Sequence, residues 1–280
     1  MRRLLSTCLF VLGICASSSK GQAADYDFPT LRGSDNFVPA FAGACCSRWA
    51  GIYVGGQLGA GVTSVDFSQT TQSMIAQILQ NTALENEGRV STWQTLGKTD
   101  SRGRSWGGFI GYNTSWESVI LGFELNYSRT DFHPGADAMP INRIVSTSVG
   151  TYDVTLTGGS HITLNDVATF RGRAGWEVGN FLPYAMIGVA AARANLTRTV
   201  KHIRHPDFVR HSSGCHAILL TQTLTKNDAF LFGWSVGAGV DIMALPNVFL
   251  RAELEYLALS PYWSLGPTMF TARAGLGYKF

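Results

Sequence analysis

The last ten residues of the chain, TARAGLGYKF, alternate strictly between two kinds of side chain. Small apolar and aromatic residues occupy one phase, from Ala272 to Phe280, and Thr271, Arg273 and Lys279 with two glycines occupy the other. Successive side chains of a β-strand point to opposite faces, so this pattern predicts a strand with one apolar and one polar face. A soluble β-sandwich and a membrane β-barrel both contain such strands, and the rest of the chain decides between them.

Seven further segments upstream repeat the pattern, which makes eight predicted strands. In VFLRAELEYLA, for example, Leu250, Leu254 and Tyr256 oppose Arg251 and Glu253. The segment LPYAMIGVAAARANLT is apolar on both faces, so its phase stays open. In chain order the predicted strands are GIYVGGQLGAGVT, RSWGGFIGYNT, VILGFELNYS, ATFRGRAGWEV, LPYAMIGVAAARANLT, FLFGWSVGAGVD, VFLRAELEYLA and the terminal segment.

The links between these segments alternate in length. Links near 115–117, 179–181 and 245–247 are tight. The links that alternate with them, at roughly 65–101, 132–165 and 200–228, are long, except for the last of these, 260–267, which is short. An even number of antiparallel strands with short turns at one end and long loops at the other is typical of outer-membrane barrels. The predicted fold is therefore all-β, an eight-stranded antiparallel transmembrane up-and-down β-barrel over residues 49–280.

Composition favours a membrane barrel over a soluble enzyme. The chain is 45% hydrophobic and 15% charged, with 31 glycines and 32 aromatic residues (16 Phe, 9 Tyr and 7 Trp). Beyond the first residues it contains no apolar stretch that approaches the length of about twenty residues that a membrane-spanning helix needs. A formal charge of +3 is too small to indicate a nucleic-acid partner.

The N-terminus has the form of a secretory signal peptide. Arg2 and Arg3 precede a short apolar run and a small-residue cleavage region, so residues 1–24 are predicted to be removed and 25–48 to form a periplasmic linker. Lipidation at Cys15 is not expected, because the bulky Ile14 precedes it where a small residue is required. An exported chain of this composition is expected in the bacterial outer membrane.

Three cysteines remain after removal of the signal: Cys45, Cys46 and Cys215. Because the number is odd, no complete intramolecular disulfide framework is possible, and at least one free thiol is expected.

The polar phase of the strands places charged residues inside the predicted barrel, four acidic and four basic. They are Glu124, Arg171, Arg173, Asp241, Arg251, Glu253, Glu255 and Arg273. An eight-stranded barrel has an interior just wide enough to be filled by side chains, and buried charges are tolerated when they are paired. A plug of ion pairs is the predicted arrangement, with a narrow ion path through the same charges as the alternative.

The order of the strand motifs carries a family resemblance. GIYVGGQLG, GGFIGYN, LGFELNY, RGRAGW, LPYAMIGVA, GWSVGAGV, LRAELEYL and ARAGLGYKF resemble the successive strands of the porin-family small outer-membrane proteins of α-proteobacteria, the 25/31-kDa major outer-membrane protein group. These are barrels related in fold to the OmpA transmembrane domain. The resemblance runs from about Trp49 to Phe280 and implies an envelope role. It does not identify a ligand, and the Cys45-Cys46 pair, the long first and second loops and the His-rich third loop depart from the family pattern.

The third long link concentrates metal-ligand side chains. His202, His205, His211, Cys215 and His216 lie within fifteen residues, although in no defined zinc spacing. Basic neighbours oppose a cation and suit anions such as lipopolysaccharide phosphates or haem propionates. A basic loop in contact with lipopolysaccharide is the preferred interpretation, and haem or metal capture is the alternative. No metal and no cofactor are predicted.

The segment Gly233-Trp234-Ser235-Val236-Gly237 matches the nucleophile elbow of hydrolases. That motif requires a turn from strand to helix, whereas alternation continues through this segment and places Ser235 inside the barrel. A barrel hydrolase acting on lipid A would need a lipid-facing Ser/His pair, and the histidines are expected in loops or beyond strand ends. The chain is therefore predicted to be non-enzymatic.

Two further features concern the surface of the barrel. In the first long link Met74, Ile75, Ile78, Leu79 and Ala83 recur at helical spacing, which predicts an amphipathic helix on the barrel rim, or an adhesive surface for a host partner. By analogy with outer-membrane barrels, Tyr278 and Phe280 are expected to form the signal that the barrel-assembly machinery reads. The expected function is a structural or surface-interaction role, with outer-membrane lipid, lipopolysaccharide and the assembly machinery as partners.

Overall fold

Eight strands close into a ring in the computed structural model, which describes residues 48–93, 96–206 and 218–280, with backbone only at 202–206 and 218–220. The ring order is β1-β2-β3-β6-β7-β8-β9-β10, every pair is antiparallel, and β10 returns to β1. The strands are β1 (Gly51–Asp66), β2 (Lys98–Trp116), β3 (Val119–Phe132), β4 (Gly135–Asp137), β5 (Ile141–Thr147), β6 (Gly150–Trp176), β7 (Phe181–Pro206), β8 (Ile218–Leu245), β9 (Val248–Leu259) and β10 (Thr268–Lys279). The predicted eight-stranded all-β fold is confirmed.

Three turns at one end of the ring are tight, as the sequence predicts. They join β2 to β3, β6 to β7 and β8 to β9, and we call this the short-turn end. The opposite, distal end carries the long links. The predicted signal peptide, nearly all of the linker, Cys45, Cys46 and Cys215 lie outside the described residues.

The predicted long loops at 132–165 and 200–228 are wrong in large part. β6, β7 and β8 contain 27, 26 and 28 residues, far more than the about ten that cross a bilayer. Their distal parts, 150–164, 196–206 and 218–226, continue as an open sheet to which β4 and β5 pair along β6. We call this sheet the distal extension. His161, His202 and His205 therefore lie on strands and not in loops.

Irregular residues mark the point where the ring becomes the distal extension. The register shifts at Asn165 between β6 and β7, and again at Asn195 between β7 and β8. The Asn195 side chain accepts a hydrogen bond from the Asp228 amide at 2.9 Å, and Asp228 has a positive φ of 54°. Bulges of this kind occur at barrel rims, where they redirect a strand.

The first long link forms two short helices and a 3₁₀ turn in place of the single predicted helix. α1 spans Gln72–Ile78, α2 spans Ala83–Asn86, and the 3₁₀ turn spans Val90–Thr92. Their apolar side chains pack on the inner face of the distal extension, against Val154, Leu156 and Val200. The predicted apolar stripe is buried in part, at Met74, Ile75 and Leu79, but on this sheet and not on the barrel rim. No helix within the described ranges is long and apolar enough to cross a membrane.

Candidate functional site

The barrel interior holds a layer of eight charged side chains, one to three on each of β3, β6, β8, β9 and β10. Every member is 1–7% exposed as a residue. They are the set predicted from alternation: Glu124, Arg171, Arg173, Asp241, Arg251, Glu253, Glu255 and Arg273. We call this set the charged layer.

The strand register creates the pairing. Glu124 lies opposite Arg171 across β3–β6, Asp241 opposite Arg251 across β8–β9, and Glu253 opposite Arg273 across β9–β10. Directly opposed residues on one face of an antiparallel pair have neighbouring Cβ atoms. Six of the eight charges are therefore paired by the sheet alone.

Asp241 anchors one half of the charged layer. Its Oδ1 accepts from Arg251 Nε at 2.9 Å, and its Oδ2 accepts from Arg251 Nη2 at 3.1 Å and from Arg173 Nη2 at 2.6 Å. Arg251 Nη1 also donates to Glu124 Oε2 at 2.7 Å, and Glu124 contacts Arg171. Glu124 thus connects this half to the other.

Arg171 and Arg273 neutralise the remaining carboxylates. Arg171 Nη1 donates to Glu253 Oε1 at 2.7 Å and to Glu255 Oε1 at 3.1 Å. Arg273 Nη2 lies 3.0 Å from Glu253 Oε1 and also contacts Glu255. All eight charges form one network, whose formal charges cancel.

Two tyrosines that were not among the predicted site residues complete this network. The Tyr53 hydroxyl donates to Glu124 Oε2 at 2.8 Å, and the Tyr184 hydroxyl donates to Glu253 Oε2 at 3.0 Å. The Arg173 guanidinium lies 3.9 Å from the centre of the Tyr184 ring. Alternation in β1 already places Tyr53 inward, but Tyr184 lies in the segment whose phase the sequence leaves open.

Apolar layers lie on both sides of the charged layer. At the short-turn end, Phe249 packs against Trp49, Tyr53 and Phe109 with ring centroids 5.8–6.2 Å apart. Inward glycines make this possible: a Cβ at Gly277 would lie 2.2 Å from Phe249 Cζ. At the distal side a larger apolar cluster, which includes Phe67, Phe132, Leu164, Leu196 and Leu259, fills the interior. A small cavity of about 10 Å³ between the charged layer and this cluster has room for about one water molecule.

The outer surface carries an apolar band. Large side chains exposed there include Leu58, Trp106, Phe123, Phe170, Ile187, Trp234, Leu254, Leu276, Tyr278 and Phe280, each 51–70% exposed except Tyr278 at 45%. Ala274, Leu276, Tyr278 and Phe280 face outward as predicted, whereas Arg273 and Ser235 face inward. β8 runs straight through Ser235, so the segment forms no nucleophile elbow.

Charged residues end this apolar band at the distal side of β3, β6 and β7. Asp166 accepts hydrogen bonds from the Tyr127 hydroxyl at 2.7 Å and from Arg193 Nε at 2.9 Å. Arg129 is exposed and lies opposite Asp166 across β3–β6. A groove of about 320 Å³ runs from this polar cluster past Ala168 and Ala191 to Phe230.

An Asp–His–Thr chain that sequence reasoning missed connects the distal end of β3 to β6. His133 Nε2 contacts Asp131 Oδ1 at 2.6 Å, and His133 Nδ1 contacts Thr163 Oγ1 at 3.2 Å. The side chains of His133 and Asp131 are 59% and 77% exposed. Water competes for both, so this chain lacks the desolvation that activates a catalytic triad.

The predicted loop ligand site is described only in part. His202 and His205 lie on β7, opposite Leu220 and Asp153, while His211, Cys215 and His216 lie outside the described residues. Within the described residues no three His, Cys, Asp or Glu side chains converge in a way that could hold a metal ion.

Comparison with known proteins agrees with this geometry. Residues 37–280 match the family model described as outer membrane protein beta-barrel domain. Similar solved structures include Neisserial surface protein A (14% identity, TM-score 0.37, 82% of this chain and 98% of that chain). Ail of Yersinia pestis (12%, 0.32, 82% and 99%) and OprG of Pseudomonas aeruginosa (11%, 0.35, 82% and 96%) are others. No curated protein sequence matches significantly.

Proposed function

Because the chain belongs to the outer membrane protein β-barrel domain family, we propose that it is a non-enzymatic, non-conducting barrel with a structural or surface-interaction role. Its family places it in the bacterial outer membrane. The removal of residues 1–24 as a signal peptide, and membership of the α-proteobacterial group that its strand motifs resemble, belong to the same proposal.

The charged layer and its two apolar neighbours carry the non-conducting part of this proposal. An ion crossing the barrel would have to separate paired charges and then pass two layers formed mainly by apolar side chains. The cavity next to the charged layer holds only about 10 Å³. The alternative, a narrow porin-like channel, requires these layers to open.

A liposome-swelling assay tests this point. Protein refolded into liposomes should give no more swelling in small sugars than empty liposomes, while a general porin serves as the positive control. A matched variant, Phe109→Ala with Phe249→Ala, removes the rings at the short-turn end and shows whether the charged layer and the distal apolar cluster still block passage. Swelling or ion conductance by the unmodified protein would favour the channel.

The distal extension supports the surface-interaction part. In outer-membrane barrels the long links lie outside the cell and the short turns in the periplasm. The distal extension would then form a folded platform beyond the membrane, with its own apolar core. Loss of cell-surface attachment after deletion of the β4–β5 region, in a strain that still assembles the barrel, is the expected result. Unchanged attachment would leave only the structural role.

Lipopolysaccharide is the proposed lipid partner. The polar cluster of Tyr127, Arg129, Asp166 and Arg193 at the distal edge of the apolar band supports this proposal, because its arginines suit phosphate groups. Arginine recognises phosphate by paired hydrogen bonds. Native mass spectrometry should detect lipid A bound to the wild type and less bound to Arg129→Gln with Arg193→Gln. Arg143→Gln, on the distant β5, is the control.

Haem or metal capture remains the alternative binding function. A spectral titration with haem tests it on the refolded protein. A signal that disappears when His202, His205, His211 and His216 are all replaced would favour capture. For a lipid A hydrolase, the Asp131–His133–Thr163 chain is the arrangement to test, and acyl release lost in His133→Ala would contradict the non-enzymatic proposal.

A further inference from the structure

Arg198 differs from every other buried charge among the described residues. Nine charged residues there are buried, and eight of them belong to the charged layer. Arg198, which is 5% exposed, lies on β7 in the distal extension and forms no ion pair with a described acidic residue. Burial lowers the pKa of its guanidinium, but arginine stays protonated in proteins. A buried positive charge without an anion is costly.

Neighbouring segments hold the guanidinium in one orientation. Its Nη1 donates to the Thr70 carbonyl oxygen at 2.9 Å, and its Cζ lies 4.3 Å from the centre of the Trp263 ring. Thr70 precedes α1 and Trp263 lies in the β9–β10 link, so two separate loops fix this side chain. This hydrogen bond uses Nη1 and not the Nε–Nη2 edge of the guanidinium. That edge is one that arginine uses for bidentate recognition of carboxylates.

Polar atoms of the guanidinium and of its neighbours Ser160 and Thr70 also lack hydrogen-bond partners. Arg198 Nε has no hydrogen-bond partner, and neither has the hydroxyl of Ser160, which lies directly opposite Arg198 across β6–β7. The Thr70 hydroxyl is also unpartnered, and Ser160 and Thr70 are both fully buried. Buried donors are nearly always satisfied in folded proteins, so an acceptor at this guanidinium would meet donors that the described residues do not satisfy.

We propose that the Nε–Nη2 edge of Arg198 binds the carboxylate of a small organic acid, with the Ser160 hydroxyl as a further donor. A single uncompensated charge calls for a monoanion. A planar fork of two N–H groups matches two coplanar carboxylate oxygens better than a spherical ion. The near-complete burial of Arg198 limits the ligand to a small one.

Isothermal titration of the full refolded protein with sodium formate tests this site, at constant ionic strength. Formate should bind saturably to the wild type. Arg198→Lys, which keeps the charge but loses the fork, should lower the affinity at least about tenfold, in line with the loss of a charge-assisted hydrogen bond. Ser160→Ala should lower it less. Arg104→Lys, at an exposed arginine on β2, should leave it unchanged.

Three results would overturn the proposal. The first is that formate shows no saturable binding, the second that Arg198→Lys keeps full affinity, and the third that chloride or inorganic phosphate binds as tightly as formate.

Stability gives an independent measurement. In formate-free buffer Arg198→Met should unfold at the same denaturant concentration as the wild type or a higher one, because it removes an uncompensated charge. A marked decrease would mean that a group of the chain itself neutralises Arg198, which also overturns the site.

Discussion

Arg251 and Asp241 face each other across the β8–β9 pair and form two hydrogen bonds inside the barrel, Nε to Oδ1 at 2.9 Å and Nη2 to Oδ2 at 3.1 Å. Both side chains are nearly fully buried. Bidentate pairing of this kind is the strongest form of arginine–carboxylate contact. Because the partners lie on adjacent strands, the pair fixes the register of β8 and β9 at the middle of the barrel.

Removing one partner of this pair should strongly destabilise the barrel. Arg251→Ala or Asp241→Ala leaves a buried charge uncompensated, so each should lower the free energy of unfolding by about 3 kcal/mol or more. The double variant should cost less than the sum, because the two residues share one interaction. Unfolding of the refolded protein by denaturant in lipid vesicles measures all three values. Additive, near-zero costs would mean that water reaches the charged layer.

A second double-mutant cycle, on Arg173 and Glu253, tests whether the whole charged layer behaves as one unit. Arg173 and Glu253 make no hydrogen bond to each other. Arg173 donates to Glu124 and Glu253 accepts from Arg171, and Glu124 and Arg171 are in contact, so the two residues are connected through that pair. Arg173→Ala and Glu253→Ala should each cost about 3 kcal/mol or more, and the double variant should again cost less than the sum. Strict additivity would indicate two independent halves.

Alternation was sufficient to place the charged residues, because each lies on a strand whose opposite face is plainly apolar. In β10, Arg273 stands between Ala272 and Ala274, so only one phase is possible. In β7, Tyr184 and Met186 on one face and Ile187 and Val189 on the other are all apolar. Only pairing with β6 and β8 settles that phase, and so the Tyr184 contact with Glu253 could not be predicted.

The distal extension was missed for a different physical reason. Beyond the apolar band a strand needs no lipid-facing apolar side, and the outer face of the distal extension carries threonine, as at Thr155, Thr197 and Thr223. The inner face, with Val154 and Leu156, becomes a core only because α1 and α2 fold onto it. Arg198 was missed with it, since its environment depends on contacts between distant segments.

The contact between Glu87 and Ser148 should be lost in acid. The Glu87 carboxylate accepts hydrogen bonds from the Ser148 amide at 2.8 Å and the Ser148 hydroxyl at 2.6 Å, and these bonds lower its pKa. A lowered pKa in the folded state means that the contribution is complete above the unfolded-state pKa of about 4.3 and is lost as the pH falls below it. Hydrogen exchange at the Ser148 amide, corrected for intrinsic rates, should therefore be equally slow at pH 7 and pH 5.5 and faster below about pH 4.

Glu87→Gln should accelerate that exchange already at pH 7, because an amide oxygen is a weaker acceptor than a carboxylate. Glu117→Gln, in the turn between β2 and β3, serves as the control and should leave it unchanged. If the exchange rate of the Ser148 amide changes neither with pH nor in Glu87→Gln, the contact does not hold the β5–β6 turn.

A charged side chain on the outer face should destabilise the barrel more strongly the deeper it lies in the apolar band. Ala274 faces outward beside Leu58 and Ala252, in the middle of the apolar band. Ala274→Arg should lower the free energy of unfolding by about 2–4 kcal/mol. Tyr278→Arg, near the short-turn end, should lower it by little more than the loss of the tyrosine contacts accounts for. Arg273 carries the same charge one residue away without this penalty, because it points inward to Glu253 and Glu255. A silent Ala274→Arg together with soluble fractionation would contradict the membrane location.

The aromatic end of β10 should matter more for assembly than for stability. The rings of Tyr278 and Phe280 meet edge to face with centroids 5.1 Å apart, and the Phe280 amide donates to the Ile52 carbonyl oxygen at 2.9 Å. The Phe280 ring is 70% exposed, so its removal takes little buried surface from the folded barrel. If the two rings form the signal for the barrel-assembly machinery, Phe280→Ser should sharply reduce the amount of protein in the outer membrane of cells. In detergent the same variant should refold almost as well as the wild type, and Leu276→Ser, an outward substitution deeper in the band, should behave in the opposite way. Normal assembly of Phe280→Ser in cells would assign these rings to the membrane interface alone.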